Sequence, residues 1–323
     1  MTSRVGIASL IACGLLVAAC GSDEADSNNG SPDAGQDVVQ DDVQSDAPSD
    51  APPTDTGNDV ANEAGPCSVV SSVSGSVVDE NDAAFAGVGL VLCIYQEGGT
   101  AKCLSPTKSS SSGTFKVDMP GGSACLESAS YQLKADDLAV TPLYCPVDVT
   151  AGGTITTPGP DRLVSVPACT RDPLGAETDA HEVAAPDGMS MTAVPDGLWL
   201  FDFAYEDLRL RRWDATALGW PCFVDPSNAP EDLAVFAPEM EVKPDAKDAV
   251  HVSFPNDAGL AAGTVVDLYG LGGAATSRWD GEDVHEGAWE IIGEAVVSSD
   301  GARIETRPGE GLPFATWVGW KQK

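Results

Sequence analysis

Between residues 67 and 323 the apolar residues come in short runs rich in Val, Ile, Thr and aromatic side chains, and Gly, Pro, Asp, Asn or Ser clusters separate the runs. β-Branched residues lose side-chain freedom in a helix and pack well on a pleated surface, so such runs predict strands. The frequent breakers leave little room for an amphipathic helix of about ten residues or more. Strands are expected at 74–78, 88–95, 101–104, 114–119, 131–135 and 154–157, and then at 250–254, 264–269, 289–297 and 302–306. Many short strands with regular turns predict a β-sandwich. The chain is therefore expected to be all-β. Two consecutive β-sandwich domains, 67–168 and 169–323, would follow a signal peptide at 1–19 and a disordered acidic linker at 20–66. Trp199, Phe201, Phe203 and Tyr205 alternate with Leu200, Asp202 and Ala204, which predicts one more strand with its aromatic face in the core.

Three segments carry a resemblance in the first of these domains. They are Ser74-Gly75-Ser76-Val77-Val78-Asp79, Phe85-Ala86-Gly87-Val88-Gly89-Leu90-Val91-Leu92 and Ser112-Gly113-Thr114-Phe115. Their order resembles the carboxypeptidase regulatory-like family, a prealbumin-like sandwich, with Ala124-Cys125-Leu126-Glu127 standing as an insertion. That resemblance implies a spacer or binding module without catalytic residues. In the last quarter, Phe254-Pro255-Asn256, the run from Gly259 to Tyr269, Gly287-Ala288-Trp289, the turn at Ser299-Asp300-Gly301 and Gly309-Glu310-Gly311-Leu312-Pro313 more loosely resemble a ZU5-like extracellular sandwich.

At the other end, Arg4 precedes an apolar run that closes on Val17-Ala18-Ala19-Cys20. A positive start, roughly 7 to 15 apolar residues and small residues before the cut are the marks of a secretory signal. The run is shorter than the about 20 residues a spanning helix needs. Cys20 directly after the small residues resembles the lipid-acceptor cysteine of bacterial lipoproteins. The resemblance implies cleavage before Cys20, diacylglycerol on its thiol and an acylated new amino group. Several acyl chains, at about 0.8 kcal/mol for each buried methylene, would hold the chain to a membrane nearly permanently. Gly21 stands where an aspartate would favour inner-membrane retention, so the expected place is the bacterial cell envelope at the outer membrane. From 21 to 66 there are twelve acidic residues and no Lys or Arg. Low hydrophobicity with charge of one sign gives a self-repelling coil, spanning about 40 Å or more.

The net charge of −33 repels phosphate backbones, so nucleic acid is excluded as a partner. The expected partners are the membrane, through the lipid, and a protein or polysaccharide whose identity the sequence does not name. Nine cysteines include Cys13 in the signal and Cys20 at the anchor. The other seven lie in an exported region where disulfides persist. A three-residue hairpin loop at 97–99 would set Cys93 opposite Cys103. Cys125 with Cys145 is the next local pair, and Cys67, Cys169 and Cys222 compete for the remaining one. No Cys-x-x-Cys spacing occurs, so structural disulfides are expected rather than a metal, and no cofactor is implied.

No complete catalytic constellation can be read. His251 lies in an expected strand, and His181 in a polar stretch without a nameable partner. His285 belongs to Asp280-Gly281-Glu282-Asp283-Val284-His285-Glu286, expected to be a charged hairpin tip rather than a cation site. Arg209, Arg211 and Arg212 read as the polar face of a strand, and Gly270-Leu271-Gly272-Gly273 as a turn. Zinc-protease, serine-hydrolase and nucleotide-binding motifs do not occur. The expected function is a non-catalytic binding or structural module. One rival is a glycan-binding protein using exposed Trp279 or Trp317, and another is a hydrolase with dispersed catalytic residues.

Overall fold

The computed structural model describes residues 67–96, 102–172, 175–199, 204–273 and 276–323. The expected signal, Cys20, the linker and the hairpin tip at 97–99 lie outside them. What is described is all-β. The first half contains β1 (Ser68–Val78), β2 (Gly89–Tyr95), β3 (Lys102–Cys103), β4 (Thr107–Lys108), β5 (Thr114–Asp118), β6 (Ala124–Leu126), β7 (Ser128–Lys134), β8 (Leu143–Val147) and β9 (Gly153–Arg162). One sheet is centred on β1, with β5 and then β6 antiparallel along it and β9 parallel to it. The other sheet has the order β3-β2-β7-β8, with β4 also on β2. Side chains alternate cleanly where one face is wet: Phe115 and Val117 of β5 point inward, while Thr114, Lys116 and Asp118 are exposed. Between the sheets, Val73 and Val77 pack with Leu90, Leu92, Tyr131 and Leu133. This is a sandwich of two separate sheets.

The second half contains β10 (Thr170–Arg171), β11 (His181–Ala184), β12 (Ser190–Ala193), β13 (Leu198–Trp199), β14 (Arg209–Arg212), the one-turn α1 (Ala215–Leu218), β15 (Asp232–Val242), β16 (Val250–Pro255), β17 (Val265–Leu271), β18 (Trp289–Val297), β19 (Arg303–Thr306) and β20 (Phe314–Gln322). All eleven strands join one sheet, in the order β10-β11-β12-β16-β19-β18-β17-β20-β15-β13 with β14 also on β15. Its two ends meet in one core. Val183 and Met191 from β11 and β12 lie in the same cluster as Leu210, Phe236 and Trp320 from β14, β15 and β20. The sheet therefore coils over its own apolar face, and the two layers of this sandwich are continuous through hydrogen bonds.

Several segments differ from expectation. β15 and β20 were not expected, because they are buried on both faces and their apolar run lacks alternation. Leu233, Val235 and Ala237 of β15 pack with the first sandwich, and Ala234 and Phe236 with the coiled sheet. Ala124-Cys125-Leu126 forms a strand, β6, paired with β1. The aromatic stretch at 199–205 is not one strand. β13 ends at Trp199, residues 200–203 lie outside the described ones, and Tyr205 is buried in a 3₁₀ turn. Gly270 and Leu271 end β17 rather than forming a turn. Gly272 is required by close approach, since a Cβ there would sit 2.0 Å from the His285 carbonyl oxygen.

The two halves share a core. Trp317 of β20 stacks edge-on with Trp213 and Phe223, at 5.0 and 5.2 Å between ring centres, and its indole N–H donates to the Pro142 carbonyl at 2.8 Å. A disulfide between Cys145 of β8 and Cys222 crosses the same seam. Arg209 and Arg211 of β14 donate to the carbonyls of Val166 and Ser165, and Arg211 also pairs with Glu80. The arginine cluster is thus spent on joining the halves and on the Arg212–Asp232 pair at 2.7 Å.

Candidate functional site

The seam is open along one side. β15 advances from Val235 to Met240 while its partner β20 moves only from Trp317 to Ala315, so the surplus residues bulge out of the ladder. The bulge carries Glu239 toward the first sandwich, where the Tyr144 hydroxyl donates to its Oε2 at 2.6 Å and Gln132 Nε2 donates to the Tyr144 oxygen at 2.7 Å. Burial first, and then the charge of Glu239, push the Tyr144 phenol well above its ordinary range. Between this bulge and β2, β7 and β8 lies a cavity of about 540 Å³ with Leu138 and Lys134 on its wall. A second cavity of about 320 Å³ holds Trp199, Trp279 and Arg278. Glu241 and Thr276 line both, so the two form one groove.

Both cavities fall in the volume range of ordinary ligand sites, about 300 to 1,000 Å³. Among the described residues the exposed large apolar side chains are Val69, Leu138, Trp199 and Ile291, and Leu138 and Trp199 lie in the groove. Exposed aliphatic and aromatic side chains gathered in a concave surface mark a binding face more strongly than the same residues scattered singly. Trp199 stands opposite Glu241 in the β13–β15 ladder. Burial and the neighbouring charge of Glu239 raise the Glu241 carboxyl above its usual value.

No protein-family model matches the chain, and no curated protein matches it in sequence. Among solved structures, the major pilin subunit BcpA of Bacillus cereus is similar at 11% identity and a TM-score of 0.21, over 74% of this chain and 85% of that one. The RrgB pilus protein of Streptococcus pneumoniae is similar at 10% identity and a TM-score of 0.16, over 80% of this chain and 63% of that one. Likeness this slight carries nothing to the groove.

The residues singled out in the sequence fall in several places. Cys93 and Cys103 form a disulfide in the β2–β3 register. The expected Cys125–Cys145 pair is not present. Cys125, on β6 beside β1, pairs with Cys67, whereas Cys145 lies on the edge strand of the other sheet and reaches across the seam. Among the described residues Cys169 carries the free thiol, which burial pushes up. Trp317 is fully buried, so the glycan reading loses it. Trp279 is partly exposed, with its indole N–H fixed on the Gly311 carbonyl at 2.6 Å.

His181 has partners that its polar surroundings did not reveal. It is buried against Tyr205, with Nε2 3.0 Å from the Ala176 carbonyl. His285 is exposed, and in its segment Arg278 pairs with Asp280, Glu282 and Glu290 while Glu286 turns away to accept from Ser130. These carboxylates do not converge. His251 comes closest to catalytic geometry, with Nδ1 2.9 Å from Thr306 Oγ1 and Nε2 2.6 Å from Asp248. A general base needs a nitrogen facing the substrate. Here both are taken, the threonine oxygen is buried and also accepts the Val252 N–H, and the trio clamps β16 to β19.

A further buried carboxyl was not anticipated. Asp161 of β9 accepts the Tyr131 hydroxyl at 2.6 Å and lies 3.6 Å from Cys145 Sγ. Burial pushes it up to about 7. The hydrogen bond ties the two sheets of the first sandwich across their core.

Proposed function

We propose that the chain is a non-catalytic binding module of the bacterial cell envelope, anchored through lipidated Cys20, with 20–66 as its tether and the seam groove as its binding face. One observation carries the reading: Leu138 and Trp199 are exposed in a groove whose walls come from two halves locked by a common core and by Cys145–Cys222. A groove held this way loses little conformational entropy when a partner enters. The acidic tether supports the same reading, since it would let the body stand away from anionic lipid.

Proximity labelling from the intact lipoprotein tests it. Glu241→Arg, placing a large cation where the two cavities meet, is expected to change the set of labelled neighbours while leaving membrane association intact. Cys20→Ser is expected to release the protein into the soluble fraction. An unchanged set of neighbours with Glu241→Arg would move the binding face elsewhere, and a membrane-bound Cys20→Ser variant would remove the anchor.

A further inference from the structure

We propose that the seam groove binds an uncharged polysaccharide chain, with Trp199 as the stacking residue, Trp279 as the wall beside it and Glu241 as a hydroxyl acceptor. This rests on the reading of the groove as the binding face. The extent calls for something long, because two cavities adjoin at Glu241 and Thr276. At one end Trp199 is 41% exposed. Trp279 lies beside it, its only polar atom already bonded to Gly311 and the Lys247 ammonium 5.8 Å from its ring centre. With Lys247 over its ring and its body packed on the core, Trp279 serves as cavity wall, and the exposed ring surface is that of Trp199. Pyranose rings have apolar C–H faces that lie against an indole while their hydroxyls stay at the rim, and a large rigid aromatic supplies that contact area with few rotatable bonds.

Charge decides which polymer. Lys108 pairs with Asp136 at 3.1 Å, Lys134 with Glu239 at 3.8 Å, and Arg278 with Asp280 and Glu282. Lys247, over Trp279, has no ion pair among the described residues, but an acidic polymer would have to break the other pairs and approach a chain of net charge −33. Glu241 has no hydrogen-bond or ion-pair partner among the described residues, and it sits in register opposite Trp199. A carboxylate is an acceptor only, so it suits a ligand rich in hydroxyl donors. In the larger cavity, Tyr144, Gln132 and Glu239 are already hydrogen-bonded together, and Leu138 supplies exposed apolar wall.

The test places the full-length protein on one array carrying a neutral β-glucan, a galactomannan, alginate, chitosan and a peptide set. Retention on a neutral polysaccharide is expected, with about tenfold weaker binding for Trp199→Ala and an unchanged thermal midpoint, since the side chain is exposed. Leu138→Ala should weaken binding of long chains and leave trisaccharides unaffected. Neutral-polysaccharide binding indifferent to Trp199→Ala would overturn the assignment of the site. Retention on alginate or chitosan alone would overturn the uncharged class. Trp199-dependent binding of peptides alone would overturn the polysaccharide and keep the groove. Silence on every probe would overturn the polysaccharide, and silence combined with unchanged neighbours for Glu241→Arg would overturn the groove as well.

Discussion

The two halves of the molecule solve the same packing problem differently. The first sandwich has two sheets that meet through backbone hydrogen bonds at one edge, where the N–H groups of Thr141 and Val166 donate to the carbonyls of Val164 and Ala139, and its internal disulfides, Cys67–Cys125 and Cys93–Cys103, join strands that are already neighbours within a sheet. Its layers are held by apolar packing, by the short edge bridge at Val140 and Ser165 and by the Tyr131–Asp161 bond. The second half wraps one continuous sheet over itself, so its layers are linked by the backbone, and it has no internal disulfide among the described residues. Their buried carboxylates differ in the same way. Asp232 is met by the Arg212 guanidinium, whereas Asp161 has only a phenol. Burial raises both, Asp161 to about 7, and the Arg212 guanidinium works against the rise at Asp232. Disulfides here reinforce pairing and do not substitute for sheet continuity, and the first half relies on the second to complete its core.

The sharpest way to break that dependence is Trp317→Ala. It removes a fully buried indole between the halves, and large-to-small changes of this kind cost about 3 to 5 kcal/mol. Denaturant unfolding of the variant should split into two transitions, the first sandwich melting first. A single cooperative transition at lower denaturant would mean that the halves stay coupled without Trp317.

The disulfides should rank by the loops they close. Replacing Cys145 and Cys222 by serine opens a separation of 77 residues, for which chain entropy predicts a loss of about 4 kcal/mol. Replacing Cys93 and Cys103 opens a separation of 10 residues and should cost about 3 kcal/mol or less. Thermal midpoints of the two double variants measure the order, and the reverse order would show that the seam is held by packing alone.

A smaller effect concerns pH. In the folded chain Asp161 keeps its proton up to about 7, whereas the unfolded side chain releases it near 3.8. Between these values the folded state binds more protons, so stability falls as pH rises, by about 2 kcal/mol from pH 5 to pH 7. Asp161→Asn should flatten that slope. A slope that persists in Asp161→Asn would assign the titration to another group.

Much of the strand pattern was legible wherever one face of a sheet meets water. The expected 74–78, 88–95, 114–119, 250–254 and 289–297 all fall on β1, β2, β5, β16 and β18. β15 and β20 were not legible, because burial on both faces removes the alternation that marks a strand. The groove was half visible. Trp279 stood out, but Leu138, Trp199 as an exposed side chain, and the meetings of Glu239 with Tyr144 and of Glu241 with Trp199 depended on a bulge and on strands distant in sequence.

By itself the sequence determined the period-two patterning, the acidic balance and which half-chain strands lie beside their local partners, because these follow from neighbours within a few residues. Tertiary structure alone decided that Cys145 reaches Cys222, that Trp317 is core rather than surface, and that Asp161 is buried beside a phenol. Each depends on which face of a strand meets another layer, and that is set by packing between segments tens to nearly two hundred residues apart.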